Sequence, residues 1–303
     1  MILDIPSKQE FEDAGTNFLN LAWDAVIQRI IDLEDSDFEQ WDTDGTVSDE
    51  YWNASQKSLT MAVSLVQQGV EFLLKSRIVN VSPFLIIAGD SRDWPRGCDK
   101  SDLSFADFRT IDAQDLIRVH NTVSSVRLED NFKDFFNDLR SLRNRIMHTV
   151  DKKARARPEQ VIVYILEVSN ELLSPLKWIP TRINYLLNNP IVVIHTSDHV
   201  DAQLTYEILL VIDMLKPADR KKYFGLTKQR RYMCPICLRN CTEMDIYPDL
   251  AQLQPNTPSS TTLYCIVCQK TIDVKRIDCQ SDNCKGNVIS HNDMCLTCGA
   301  GQA

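Results

Sequence analysis

The residues of this 303-residue chain whose types and spacing could do chemistry are eight paired cysteines and one Arg-Asn-x3-His run. The pairs are Cys234-x2-Cys237, Cys265-x2-Cys268, Cys279-x4-Cys284 and Cys295-x2-Cys298. A tight C-x2-C turn presents two thiolates to one ion, and zinc takes four soft ligands in a tetrahedron, so two pairs close one site. The other run is Arg143, Asn144 and, after three further residues, His148. An imidazole titrates near neutrality and can pass protons, while a guanidinium is a permanently charged fork suited to a phosphate that gains negative charge.

Sequential pairing places Cys234, Cys237, Cys265 and Cys268 at one ion and Cys279, Cys284, Cys295 and Cys298 at another, as in two zinc ribbons. A cross-braced arrangement has compatible spacing, and Cys241 and His291 are spare ligands. Four thiolates leave no open coordination position, so both ions are expected to be structural and no catalytic metal is expected. The tail has few apolar side chains, and binding of metal would supply folding energy that its core cannot. Nine of the ten cysteines lie after residue 233, which in a cytoplasmic chain reads as metal binding rather than disulfides. Cys98 stands alone and reads as a spare thiol.

The element that must carry Arg143 and His148 is a helix over 128–148. Phe132, Phe135, Phe136, Leu139, Leu142 and Ile146 recur at the spacing of one buried stripe. Arg143 falls on the border of that stripe, and Asn144 and His148 share the polar side. On an unbroken helix Arg143 and His148 point about 140° apart. Either the helix loosens before His148, or a working site is assembled between two chains.

Further helices are expected at 11–33 through Phe18, Leu21, Trp23, Ile27 and Ile30, and at 55–79 through Leu59, Ala62, Val63, Val66, Val70, Leu73 and Leu74. Gly69 weakens the second of these or permits a close helix approach. Glu71 and Lys75, four apart on it, form an exposed ion pair or support the Arg/His pair. A helix at 113–124 carries His120 as a surface histidine. The run 161–173 is apolar on nearly all sides and belongs in the middle of a bundle, with Pro158 in its first turn. Residues 34–50 read as an acidic solvated loop, 83–107 as a polar insertion, 191–194 as a short strand and 197–215 as one more helix. The expected fold is mostly α: a helical bundle over 1–190, a helix and basic linker over 191–231, and two small short-β regions over 232–276 and 277–303.

Arg143, Asn144 and His148 together resemble the R-x4-6-H signature of the HEPN superfamily, and Val70-Glu71-Phe72-Leu73-Leu74-Lys75-Ser76 looks like that family's second-helix pattern. The resemblance covers roughly residues 10–187 as a pattern of helices. It implies a metal-independent endoribonuclease in which an RNA 2′-hydroxyl attacks the neighbouring phosphate, leaving a 2′,3′-cyclic phosphate and a 5′-hydroxyl. His148 would transfer protons, Arg143 would stabilise the phosphorane, and Asn144 would orient the ring or a phosphate oxygen. It also implies a homodimer through the helix of 128–148 and a role as a defence or toxin-type effector, with an inhibitory or sensor protein as a partner. In one toxin subclass a Tyr two positions after the His is modified by the partner enzyme; here that position is Val150, which puts such control in doubt.

A second reading makes the chain a non-catalytic zinc-ribbon adaptor, binding RNA or protein, with the bundle as a dimerisation platform; a third makes it a duplex-DNA-binding factor. Net charge bears on the nucleic-acid readings. Residues 1–50 hold 14 acids against Lys8 and Arg29, so −12 of the net −9 sits there and about +3 falls on the remainder. Four cations lie within 152–157 and seven between Lys216 and Arg231, the latter interleaved with Tyr223, Phe224 and Tyr232, a mixture that suits RNA phosphates and unpaired bases. No apolar run is long enough to span a membrane, and Met1 to Glu10 lacks a cationic start followed by an apolar core, so a cytoplasmic chain is expected.

Overall fold

The computed structural model describes residues 1–36, 42, 45–148, 155–173, 177–190, 197–227, 230–241 and 246–302. The chain packs as two compact units, Met1–Pro175 and Leu176–Ala303. It is mostly α-helical, with short strands confined in the second unit to its C-terminal region.

The first unit is built from α1 (Lys8–Glu34), α2 (Thr46–Ala54), α3 (Gln56–Val79), α4 (Ala113–Val123), α5 (Asp130–His148) and α6 (Pro158–Leu172). Helix α3 is its centre, packing against α1, α4, α5 and α6. All seven residues of its apolar stripe are buried, because residues three and four apart stack on one face of a 3.6-residue helix. Helix α6, expected inside the bundle, buries Val161, Ile162, Ile165, Leu166 and Val168 against α1 and α3. Pro158 occupies its first turn.

Helix α1 starts on a capping box, in which the Ser7 hydroxyl accepts from the Glu10 N–H and the Glu10 carboxylate from the Ser7 N–H. Trp23, Ile27 and Ile30 are buried as expected, but toward the start of the helix the buried face shifts: Leu19 is fully buried, whereas Leu21 is 46 % exposed. The cause is the close approach of α1 to α3. A Cβ on Gly69 would stand 3.1 Å from the Gly15 carbonyl oxygen, and one on Gly15 would stand 3.1 Å from the Gly69 carbonyl oxygen. Backbone thus meets backbone, and the face of α1 that carries Gly15, Leu19, Ala22 and Val26 must turn inward.

Helix α2 occupies part of the segment expected to be an acidic loop. The Asp42 carboxylate accepts the N–H groups of Val47 and Ser48 at 3.0 and 2.9 Å, so an acid of that segment caps the positive end of the helix. Residues 83–107 form short 3-10 turns at Pro83–Ile86, Ser91–Asp93 and Phe105–Asp107, tied down by parallel pairing of β1 (Ile2–Leu3) with β2 (Leu103–Ser104). His120 corrects the expectation of a surface histidine. Its side chain is fully buried, Nδ1 lies 2.9 Å from Asn121 Oδ1, and Nε2 has no hydrogen-bond partner among the described residues. Burial pulls its pKa below the ordinary imidazole value, and the Arg77 charge adds to the shift.

The second unit begins with α7 (Trp178–Leu187) and α8 (Ser197–Met214), followed by α9 (Pro217–Phe224) and α10 (Pro235–Asn240). The division falls between 175 and 176, ahead of 190, because α7 packs on α8. Fully buried Arg182 donates from Nε and Nη2 to the two Glu207 oxygens at 3.0 and 2.8 Å, a bidentate pair in which neither charge can be left alone without a large desolvation cost. The basic stretch after α8 is in part the helix α9, with Pro217 in its first turn and Gly225 at φ +71° closing its end. Strands β3 (Ala251–Leu253), β4 (Thr262–Cys265) and β5 (Thr271–Asp273) form an antiparallel sheet with Leu263 opposite Leu253 and Ile272. The strand expected at 191–194 lies outside the described residues. No helix among those described is long and apolar enough to cross a membrane.

Two outcomes are expected. Gly69→Val forces side-chain atoms into the α1 backbone, and overpacking of this kind costs about 1–3 kcal/mol, read as a lower midpoint in chemical denaturation; an unchanged midpoint would contradict the helix contact. His120, with its folded pKa depressed, contributes stability that is full above the unfolded value of about 6.5 and is lost as pH falls through the folded value. Denaturation midpoints at pH 7.5 and 5.0 should therefore separate less in His120→Phe than in the native protein.

Candidate functional site

Burial of Phe132, Phe136, Leu139 and Leu142 seats α5 on the bundle and leaves Asn144 exposed and Arg143 half-buried at its edge, as the stripe expected. Arg140, Arg143 and Asn144 of α5 open onto a cleft of about 260 Å³ whose opposite wall is Gln67 and Glu71 of α3, with Asp112 and Gln114 at the start of α4. The Arg143 guanidinium donates to Asn144 Oδ1 at 3.0 Å. Across the cleft, Gln67 donates to Glu71 Oε1 at 3.0 Å. Its own Oε1 is buried without a hydrogen-bond partner among the described residues, in a side chain only 2 % exposed. Both oxygens of Asp112 accept from Arg109 in an exposed pair.

Of the two α3 residues singled out in the sequence, only Glu71 faces this cleft. Lys75 donates to the Thr110 hydroxyl at 3.0 Å and lies 5.7 Å over the Phe72 ring. Burial lowers its pKa, against the pull of the Glu71 carboxylate. Gln67 and Arg140 escaped the sequence reading, though each stands four residues before a residue that it singled out, Glu71 and Asn144, and so shares its face. His148 is the last residue of α5, and the helix runs through it unbroken, so loosening before His148 is not found. The imidazole itself lies outside the described residues.

A second, larger cleft of about 650 Å³ between α4 and α5 meets the first at Gln114 and carries Arg118, Arg127 and Lys133. Arg118 and Lys133 are paired with Asp115 and Asp130, each three residues before them in sequence. Exposed pairs of that kind are weak, so those cations keep most of their reach toward an incoming anion. Of the basic run after His148, Lys152 and Lys153 lie outside the described residues. Arg155 donates to Asn53, and the backbone of Ala156 is held by both ends of the Gln56 amide at 3.0 and 3.1 Å.

The cysteines gather into the two fours given by sequential pairing: Cys234, Cys237, Cys265 and Cys268, and Cys279, Cys284, Cys295 and Cys298. In each, the four sulfurs lie within 4.8 Å of one another. Cys234 caps α10, and its sulfur accepts the Cys237 N–H at 3.5 Å; Cys265 ends β4, and Cys268 sits in the turn to β5. The second four is held by bends, where Cys279 and Cys284 sulfurs accept the Ser281 and Gly286 N–H groups at 3.4 and 3.3 Å. Sulfurs about 2.3 Å from a tetrahedral centre stand about 3.8 Å apart. The closest pairs here are 3.7 Å for Cys234–Cys268 and Cys237–Cys265, 3.8 Å for Cys279–Cys298 and 3.9 Å for Cys284–Cys295, so the donor set fits a tetrahedral thiophilic ion.

The surroundings agree with that fit. A Cβ on Gly286 would stand 3.0 Å from the Cys295 sulfur and 2.7 Å from Thr297, so only glycine lets the chain pass this close to the cluster. In the first four, hydrogen bonds with the neighbouring thiols draw Cys268 down and push Cys237 up. Cys241 is buried near Thr205 and His291 is exposed, and neither belongs to either four.

Comparison of the chain with known protein families, curated proteins and solved structures finds no match in any of the three.

Proposed function

We propose that this protein is a metal-independent endoribonuclease whose reaction is carried by the cleft between α3 and α5. The observation that carries the reading is the cleft itself: two guanidiniums, Arg140 and Arg143, face the Glu71 carboxylate across a space of about 260 Å³, with a second carboxylate, Asp112, in its lining. Phosphodiester cleavage by a neighbouring 2′-hydroxyl needs a fixed positive charge at the phosphate and groups that take and return protons. Arg143, braced by Asn144, supplies the charge as the phosphorus gains its fifth oxygen. The 2′-oxygen bonds to phosphorus as its proton leaves to a base, and the bond to the 5′-oxygen breaks as that oxygen takes a proton. His148 is assigned to proton transfer, and Glu71 stands across the cleft as the second group with that capacity.

On the continuous α5, His148 and Arg143 of one chain diverge by about 140°, so the reading requires two α5 helices side by side, each giving its His148 to the other's Arg143. It therefore includes a homodimer. RNA suits the α4/α5 groove, where Arg118, Arg127 and Lys133 lead toward Arg140 and Arg143. The resemblance of Arg143, Asn144 and His148 to the HEPN signature points the same way. The second reading, a non-catalytic RNA-binding adaptor, is favoured by the sulfur clusters, which are built to hold structure.

The two groups of four cysteines are assigned to two Zn2+ ions. All four positions of each ion are filled by thiolates, so the ions would brace the chain without touching substrate. Elemental analysis should give close to two zinc per chain. Stripping them should unfold 232–302 while the helical signal of the first unit stays, because that unit holds none of these ligands. Zinc content near zero in folded protein would end the assignment.

Cleavage is tested on labelled single-stranded RNA in buffer without added divalent ions and without chelator, so that the sulfur clusters stay intact. Native protein should leave 2′,3′-cyclic phosphate ends. Arg143→Ala should cut the rate by about 10²–10³-fold and His148→Ala by about 10²–10⁴-fold. Equal rates for all three proteins would assign the activity elsewhere, and binding without cleavage by the native protein would favour the adaptor.

A further inference from the structure

Four aromatic rings from three elements of the second unit converge on one pocket that the proposed reaction does not use. Trp178 opens α7, Tyr223 and Phe224 close α9, and Tyr264 stands on β4 beside Cys265; together they line a space of about 250 Å³. Trp178 is buried at 3 % exposure, whereas Tyr223, Phe224 and Tyr264 are half-buried. At the mouth stand Lys177 at φ +53° and Gln269 at φ +55°, two non-glycine residues in left-handed backbone, a conformation that costs energy and persists where surroundings hold it.

Lys177 is the one charged residue lining the pocket and is exposed. Helix α9, whose last two residues are pocket walls, carries exposed Lys221 and Lys222 in its last turn, while Arg220 donates to the Asp213 carbonyl and Asp219 is its one acid. Lys222 lies 5.2 Å over the Tyr223 ring, so a cation already rests beside a wall of the pocket. Lys270 follows Gln269 in the turn after Cys268 and is exposed. A pocket of aromatic walls with Lys177 in its lining, Lys222 against one wall and exposed Lys221 and Lys270 next to lining elements matches a ligand with a flat face and a polyanionic tail.

We infer that this pocket takes one unstacked base of single-stranded RNA, with Lys177 and the lysines of α9 on its flanking phosphates. The inference rests on RNA being the ligand of the chain, and it gives the second unit the task of gripping a strand by its bases. Stacking on Tyr264 and Phe224 is tolerant of base identity, since every base has a π-face. The first sulfur cluster is part of the device, because Cys265 and Cys268 fix the strand end and turn that hold Tyr264, Ile266 and Gln269 at the pocket.

The test uses full-length protein carrying Arg143→Ala, so that no probe is cut, and anisotropy of two labelled 12-mers, an oligouridylate and a ribose-phosphate strand without bases. Tyr264→Ala should weaken oligouridylate binding by about 5- to 150-fold, the worth of one stacked base, and leave the baseless strand unchanged; Tyr264→Phe should bind as the parent does. Tyr223→Leu, away from the cysteines, carries the same expectation where Tyr264→Ala does not fold. Oligouridylate should also quench tryptophan fluorescence, and Trp178→Phe should abolish the quench. Equal weakening toward both probes, or no weakening toward either, overturns the inference, as does quenching by an aromatic peptide but not by the oligonucleotide. Base-dependent binding without cleavage by native protein would keep this pocket and remove the nuclease reading. Cleavage with base-independent binding would do the reverse.

Discussion

Four sulfurs held within 4.8 Å of one another are a constraint that the second unit must satisfy before it can present any surface. As free thiolates they repel, and as thiols they are weak hydrogen-bond partners that do little to hold bends of this kind. About a cation they would become the strongest local bonds in a region poor in apolar side chains. The elements around them follow from that: Cys234 at the start of α10, Cys265 at the end of β4, and backbone N–H groups turned onto Cys234, Cys279 and Cys284. Tyr264 and Ile266 flank Cys265 in sequence, so the aromatic pocket inherits its geometry from the first cluster.

The first unit reaches rigidity by a different route. Its centre, α3, is shared by α1, α4, α5 and α6, with α2 touching it more lightly, and its Gly69 lets α1 come to backbone contact. What remains of the α3 surface, the face of Gln67 and Glu71, meets α5 across the cleft that holds Arg143 and Asn144. The polar residues of that cleft are therefore carried on helices whose other faces are fixed by packing, which limits how far a guanidinium or carboxylate can drift. Lys75 shows the selectivity of this placement. Four residues from Glu71, it is turned to Thr110 and Phe72 and leaves the cleft.

Much of the architecture was legible in the sequence, because apolar periodicity and cysteine spacing are local signals. The helices at 55–79, 113–124, 128–148 and 197–215 were found with their ends in nearly the observed places, since runs of residues at three and four apart leave little choice of face. Helix α2 was hidden in an acidic segment, because it buries no side chain and so prints no stripe. Leu21 pointed the wrong way and His120 looked exposed for one reason: a helix alone does not state which part of its surface a neighbour will cover.

The sequence by itself determined the class of the fold, the four cysteine pairs and the presence of Arg143 and Asn144 on the edge of a helix, all of which depend on neighbours along the chain; which pairs join into a four was left to the structure. Only the tertiary structure decided that Gln67, Glu71 and Arg140 share a cleft with them, that Lys75 does not, and that Trp178, Tyr223, Phe224 and Tyr264 form one pocket. Those groupings arise where separate elements meet. Their geometry is set by packing distances between helices and strands, a property that no single stretch of the chain carries.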